Sequence, residues 1–101
     1  MRRIPKLLKP IHPGEVLREE FMIPLGMSIN RLARELFVPP GRISQIVNGK
    51  RAISADTALR LGRFFKVSPE AWLNLQTAYE LRLARRSSGK EVESRIRPLA
   101  G

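Results

Sequence analysis

Polar side chains that can pair with nucleic-acid bases are concentrated in one short segment, VPPGRISQIVNGKR, at residues 38–51. At about 100° per residue, one side of a helix through this segment is apolar and carries Ile43, Ile46 and Val47. The other side presents Gln45, with Arg42 and Ser44 at its flanks. Glutamine can bond adenine N6 and N7, arginine can bond guanine O6 and N7, and serine suits either base. The spacing therefore predicts hydrogen bonds to base edges in a major groove.

Residues at both ends of the same segment limit it to a helix of barely two turns. Pro39 and Pro40 precede the apolar pattern, and Gly49 follows it in a position suited to a C-terminal cap. A helix this short is unstable alone in water, so its apolar side must pack against neighbouring helices. The prolines also allow a sharp turn from the preceding helix, which is what a helix-turn-helix requires.

Repeated start and stop signals divide residues 13–84 into five short helices. Pro13 suits the first position of the first helix, and the third is the two-turn helix described above. Ser28, Ser54 and Ser68 are N-cap candidates for the second, fourth and fifth helices. No strand-like alternation of any length is visible, so the predicted class is all-α.

The ends of the chain differ in composition from its middle. Residues 1–11 contain four basic side chains and no acid, which predicts a basic N-terminal arm. Residues 12–84 form the predicted helical domain. Beyond Ala84, serine, glycine and like charges dilute the apolar pattern, so residues 85–101 are expected to form a flexible basic tail.

The charge balance favours a polyanionic partner. The chain has 19 Lys and Arg against 9 Asp and Glu, a formal charge of +10. Around the two-turn helix, one acid, Asp56, faces six basic residues, Arg42, Lys50, Arg51, Arg60, Arg63 and Lys66. Such a zone suits nucleic acid, although basic ends also aid solubility.

The sequence gives little support for a metal site, a catalytic site or a membrane span. The chain has no cysteine and a single histidine, His12, which we interpret as a helix-start residue rather than a metal ligand. No catalytic constellation is present, so neither enzymatic activity nor a cofactor or metal is expected. No apolar run approaches the roughly 18 residues of a membrane span, which predicts a cytoplasmic protein with no membrane partner.

The stretch SINRLARELFVPPGRISQIVNGKRAIS resembles the lambdoid-repressor, or XRE, type of helix-turn-helix domain. The resemblance implies a five-helix domain in which Gln45 reads bases and Ser44 and Arg42 lie at or near base edges. It also implies contacts to DNA phosphates by Ser28, Asn30, Asn48, Lys50 and Arg51. Pro40 and Gly41 stand where other members carry polar side chains, so direct readout is expected to rest on few residues.

Three flanking stretches look like the HigA family of type II antitoxins: HPGEVLREEFMIPLGMSINRLA, NGKRAISADTALRLGRFF and SPEAWLNLQTAYELRLA. This resemblance implies two activities, namely binding a small RelE-like ribonuclease toxin and repressing the shared promoter. Two alternatives remain open: a solitary XRE-type repressor without a toxin, and a basic protein that binds RNA or a membrane surface through its ends.

One two-turn helix reads too few base pairs to select an operator, which predicts a homodimer on an inverted repeat. The fifth helix has more apolar residues than a small core needs, and the interface candidates are Trp72, Leu75 and Tyr79. Because the toxin would itself be basic, the acidic first helix, with Glu15, Glu19 and Glu20, is the surface expected to meet it.

Overall fold

The protein is represented by a computed structural model that describes residues 10–100. Helix α1 spans Pro13–Val16 and continues as a π-helical segment, Leu17–Met22. It is followed by α2 (Ile29–Leu36), α3 (Pro40–Val47), α4 (Ala55–Phe65) and α5 (Pro69–Arg95). Residues 10–100 contain no strand, which confirms the all-α prediction.

The helices begin where the sequence predicts because side chains there satisfy free backbone N–H groups. Pro13 occupies the start of α1, where the His12 imidazole accepts the Gly14 N–H at 2.8 Å. Three serine hydroxyls do the same for α2, α4 and α5: Ser28 accepts from Arg31, Ser54 from Thr57 and Ser68 from Ala71. His12 is therefore a helix-start residue, as expected.

Helices α2 and α3 both end at a residue in the left-handed backbone conformation, but the residue type differs. At the end of α3, Gly49 has a φ of +74°, and the N–H groups of Gly49 and Lys50 reach back to the carbonyls of Ile46 and Gln45. This is a Schellman closure, in which glycine carries no steric cost. At the end of α2 the left-handed position is occupied by Phe37, with a φ of +58° and a side chain that is 86% exposed.

The core is built from all five helices. Residues at 0–1% exposure come from each of them: Leu17, Leu32, Ala33, Ile43, Ile46, Ala58, Leu61 and Trp72. Phe21 packs its ring 4.9 Å from that of Phe65 and 5.1 Å from that of Trp72. Burial of Ile43 and Ile46 confirms that the predicted apolar side of α3 faces inward.

The start of α1 lies directly against the end of α3. A Cβ atom added to Gly14 would be 1.7 Å from the carbonyl oxygen of Ile46, so no side chain fits there. This contact places His12 and Pro13 beside the turn that follows α3. Helix α1 thus packs against the C-terminal end of α3 and supports it.

The fifth helix was expected to end near Ala84, but α5 continues to Arg95. Residues 85–95 are helical rather than irregular. Once a helix is nucleated, each further residue adds one backbone hydrogen bond, and Arg, Lys and Glu propagate helices well. The hydroxyls of Ser87 and Ser94 donate to carbonyls one turn earlier, so these serines do not end the helix. Residues 1–9 of the predicted basic arm lie outside the described residues.

Candidate nucleic-acid interface

The polar side of α3 forms the centre of the interface. Gln45 is exposed and Ser44 is half-buried, while Ile43 and Ile46 on either side of them in sequence are fully buried. The buried pair fixes the rotation of the helix about its axis, because turning it would expose apolar surface to water. Gln45 is thereby presented outward on a helix with a defined orientation, as the spacing predicted.

Arg42 is placed differently from the other two predicted base-reading residues. Its guanidinium Nη1 donates to Asp56 Oδ2 at 2.8 Å, and only 27% of its side chain is exposed. Asp56 lies in the first turn of α4, so this ion pair joins α3 to α4. Base reading by Arg42 stays a prediction, and it would require the arginine to leave this partner.

A second arginine completes the connection among three helices. Arg60 donates Nε to the same Asp56 oxygen at 2.9 Å and Nη1 to the Leu36 carbonyl at 2.8 Å, at the C-terminal end of α2. Hydrogen bonds from Arg60 and then Arg42 lower the pKa of the Asp56 carboxyl. The sequence alone did not reveal this arrangement, although Asp56, as the one acid in a basic zone, pointed to it.

The segment after α3, residues 48–54, carries most of the predicted phosphate contacts and is called the α3–α4 loop below. Asn48, Lys50 and Arg51 are all exposed, and Asn48 Nδ2 donates to Ser44 Oγ at 3.5 Å. Ser28 and Asn30, the remaining predicted phosphate ligands, are exposed at the N-terminal end of α2. Unpaired N–H groups at such a helix end attract phosphate.

The far side of the α3–α4 loop is fixed by α5. Gln76, which is 6% exposed, accepts the Ile53 N–H through Oε1 at 2.8 Å and donates from Nε2 to Glu80 Oε2 at 2.9 Å. A buried backbone N–H without a partner would cost free energy, so Gln76 holds the loop in place. The signal for this role in the sequence is a glutamine on the packed side of α5, four residues after Trp72.

His12 contacts the other end of the loop. Its ring lies edge-on to Tyr79 of α5, with centroids 4.9 Å apart, and a Cβ on Gly49 would be 3.9 Å from its Cγ. Desolvation by burial lowers the pKa of His12, and a hydrogen bond with the Arg51 backbone partly opposes that effect. No group of acidic or histidine side chains suited to a metal ion occurs in residues 10–100.

The predicted dimer residues of α5 do not share one environment. Trp72 is 1% exposed and belongs to the core of the protomer, which corrects its assignment to an interface. The indole ring of Trp72 packs against the Phe21 ring within the same protomer, so it is not available to a partner subunit. Leu75 is 37% exposed and Tyr79 is half-buried against His12, so both keep accessible surface.

No helix in the described part of the chain is long and apolar enough to cross a membrane. From Glu80 onward, charged side chains interrupt the apolar residues of α5.

Comparison with known proteins places this arrangement in a family. The helix-turn-helix family HTH_3 matches residues 17–72. Virulence-associated protein I of Dichelobacter nodosus is 55% identical over 74 residues, which cover 73% of this chain and 68% of that protein.

Two solved structures are similar over most of the chain. One is an addiction module antidote protein of a HigA family from Coxiella burnetii, with 50% identity and a TM-score of 0.86 over 90% of this chain and 99% of that one. The other is the Pseudomonas aeruginosa antitoxin HigA with the higBA promoter, with 47% identity and a TM-score of 0.88 over 91% and 100%.

A helix-turn-helix family is one of DNA-binding regulators rather than enzymes, and the Pseudomonas aeruginosa antitoxin was solved with promoter DNA. The fold, the helix-turn-helix match and the extent of these similarities lead to one conclusion. The chain belongs to the HigA family of helix-turn-helix antitoxins.

Proposed function

We propose that this protein represses its own operon by binding operator DNA as a homodimer and that it neutralises a RelE-like ribonuclease toxin encoded beside it. One observation supports the DNA-binding half most strongly. The polar side of α3 is exposed while its apolar side is anchored by Ile43 and Ile46 in the core. The similar P. aeruginosa antitoxin was solved with its promoter. Both activities would operate in the cytoplasm.

In the proposed complex, α3 enters the major groove and Gln45 bonds a base edge, with Ser44 beside it. Arg42 reaches a base only if it exchanges Asp56 for DNA. Lys50 and Arg51 of the α3–α4 loop lie against phosphates, together with Asn48. The N-terminal end of α2, with Ser28 and Asn30, meets the backbone on the other side.

Two substitutions separate base reading from phosphate binding. Gln45→Ala is expected to weaken binding to the chain's own promoter by about 1 to 3 kcal/mol and to relax preference at one base pair. Lys50→Ala is expected to weaken all sequences alike and to reduce the salt slope by roughly one unit. Lys90→Ala, which removes an exposed charge near the end of α5, serves as the control for simple loss of charge.

Fluorescence anisotropy with the promoter duplex and with single-base variants of it measures both effects over a range of salt. Intact base preference in Gln45→Ala, combined with altered preference in Lys50→Ala, would mean that α3 is not the reading helix. Sedimentation of the protein alone and on DNA tests the dimer, with half-sites about 10 base pairs apart or a multiple of that. A monomer in both states contradicts it.

The proposed dimer surface is now limited to the accessible part of α5. Leu75 and Tyr79 remain candidates, and Leu83, one turn after Tyr79 on the same side of the helix, extends them with 41% exposure. Leucines this exposed on one helix are a feature of surfaces that associate. Leu83→Glu is expected to raise the dimer dissociation constant, whereas the same change at Leu81, which lies about 160° away from Tyr79 around the helix, should have less effect.

The proposed toxin surface is the acidic side of α1 and its π-helical continuation. Glu15, Glu19 and Glu20 are all exposed there, and Glu19 is paired only loosely with Arg18, at 3.6 Å. A basic toxin would be attracted to this surface and repelled by the rest of a +10 chain. Reversing the charge of Glu19 and Glu20 should slow toxin association without weakening promoter binding.

Co-purification with the product of the neighbouring reading frame, followed by growth rescue, tests the antitoxin half. If no complex forms and growth is not rescued, the protein is a solitary repressor, and the DNA-binding half stands separately.

A further inference from the structure

The α3–α4 loop is held from inside the protein at both ends. Gln76 of α5 bonds the Ile53 N–H near the end of the loop. Near its start, the His12 ring lies beside Gly49, where an added Cβ would be 3.9 Å from the imidazole Cγ, and His12 bonds the Arg51 backbone. The same imidazole caps α1 through the Gly14 N–H and lies against Tyr79 of α5. His12 is therefore the point where α1, α5 and the loop meet.

The bond to Gly14 fixes the state of the imidazole. Nδ1 accepts the Gly14 N–H at 2.8 Å, so Nδ1 carries no proton and the neutral ring holds its hydrogen on Nε2. Protonation would place a second donor opposite the Gly14 N–H and abolish this bond. It would also place a positive charge at the N-terminal end of a helix, where the backbone dipoles oppose it.

We propose that His12 is a positioning residue for the DNA contact, holding the α3–α4 loop through Gly14, Gly49, Arg51 and Tyr79, so that protonation of its imidazole weakens promoter binding. This inference rests on the promoter binding proposed above. His12 itself stays behind the loop and touches no DNA. Its effect reaches Lys50 and Arg51 only through the backbone that it supports.

Burial determines which form of the His12 imidazole the fold favours. Desolvation lowers the pKa of His12 from its usual value of 6.5, so the folded domain favours the neutral ring. The stabilising contribution of the neutral ring is therefore complete above pH 6.5. It is lost as the pH falls from 6.5 through the lower value of the folded protein.

Other titratable and charged side chains on the elements around His12 are Glu15 of α1, Lys50 and Arg51 of the loop, and Tyr79 and Glu80 of α5. Imidazole is the side chain that ordinarily changes charge between about pH 5 and 8. His12 is the single histidine of the chain. Any step in this range that a His12 variant abolishes therefore belongs to His12.

The test is fluorescence anisotropy at fixed salt with a labelled duplex spanning the promoter directly upstream of the reading frame. Wild-type protein is expected to lose about threefold in affinity between pH 7.5 and 5.5, because a pKa below 6.5 leaves part of the imidazole neutral at pH 5.5. His12→Asn should change less than about twofold, because asparagine caps a helix without titrating. His12→Ala should bind about tenfold more weakly at both pH values.

Tyr79→Phe keeps the aromatic edge contact with His12 and should retain the pH dependence of the wild type. Far-UV circular dichroism at each pH identifies any variant that fails to fold. The inference is overturned if wild-type affinity is unchanged or rises on acidification, or if His12→Asn follows the wild-type profile. A rise would mean that the imidazolium acts as a direct attraction for phosphate.

A second measurement needs no DNA and therefore separates this inference from the proposed function. In the free protein, the amide NMR signals of Gly14, Gly49 and Arg51 should follow the titration of the His12 ring. In His12→Asn they should not move over the same range. Amide signals that ignore the His12 titration overturn the inference even if the promoter is bound, and signals that follow it support the loop coupling even if the promoter is not bound.

Discussion

The domain formed by α1 to α4 and the first two turns of α5 differs sharply from the C-terminal part of α5. In the domain every helix contributes buried residues, and polar side chains such as Gln76 and Arg60 are used to join elements. After Gln76, helix α5 contributes no buried residue within the described chain, although its 27 residues extend about 40 Å.

The two regions are therefore helical for different reasons. Short helices such as α3 exist because their apolar side is packed, since they are too short to be stable alone. Residues 85–95 are helical because they continue an anchored helix with good helix formers and an i,i+4 pair, Glu91–Arg95, at 3.9 Å. Stability should depend strongly on contacts in the domain and weakly on the extension, which the following substitutions test.

Gly14→Ala should have the largest effect. The added methyl group would lie 1.7 Å from the Ile46 carbonyl oxygen, so α1 and α3 must separate. We expect a loss of about 3 kcal/mol in the free energy of unfolding. Urea denaturation measures it, with Gly41→Ala as control, because among the described residues nothing lies within 4 Å of a Cβ there. Equal stability of the two variants would contradict the close contact.

Gln76→Leu should come next. It keeps the side-chain volume similar but leaves the buried Ile53 N–H without its acceptor, at a cost of about 1 to 3 kcal/mol. Asn74→Leu changes an exposed amide on the same helix and should stay within about 0.5 kcal/mol of the wild type. Thermal and urea unfolding of both variants make the comparison. A neutral Gln76→Leu would mean that the Ile53 N–H finds another partner.

Phe37→Gly should raise stability by about 1 kcal/mol. Phe37 holds a left-handed backbone conformation that glycine adopts without steric cost, and its ring is 86% exposed, so little packing is lost. Lys66→Gly, at a φ of +62°, should gain similarly and serves as the matched case. If Phe37→Gly is destabilised while Lys66→Gly is not, the Phe37 ring has packing partners in solution.

A chain ending at Ala84 should show the smallest effect on stability. Removing the extension deletes no buried residue of the described chain, so the free energy of unfolding should change by less than about 0.5 kcal/mol. Far-UV circular dichroism should still fall, because residues 85–95 are helical in the full chain. A loss above about 1 kcal/mol would mean that the extension packs on the domain or on a second copy.

The sequence by itself determined the local features of this protein. Caps at His12, Ser28, Ser54 and Ser68 and the closure at Gly49 depend on backbone groups a few residues away, so spacing alone located them. The inward and outward sides of α3 also followed from the 3.6-residue period. The same local signals gave the all-α class, because no other element competes with them.

Only the tertiary structure decided which distant side chains meet. Arg42 and Asp56 are 14 residues apart, and Gln76 lies 23 residues from Ile53, so no local pattern pairs them. The aromatic spacing of α5 fitted a core or an interface equally well, and only the position of Phe21 assigned Trp72 to the core. The junction of His12 with Tyr79 arises in the same way, because burial and pairing depend on how all the helices pack together.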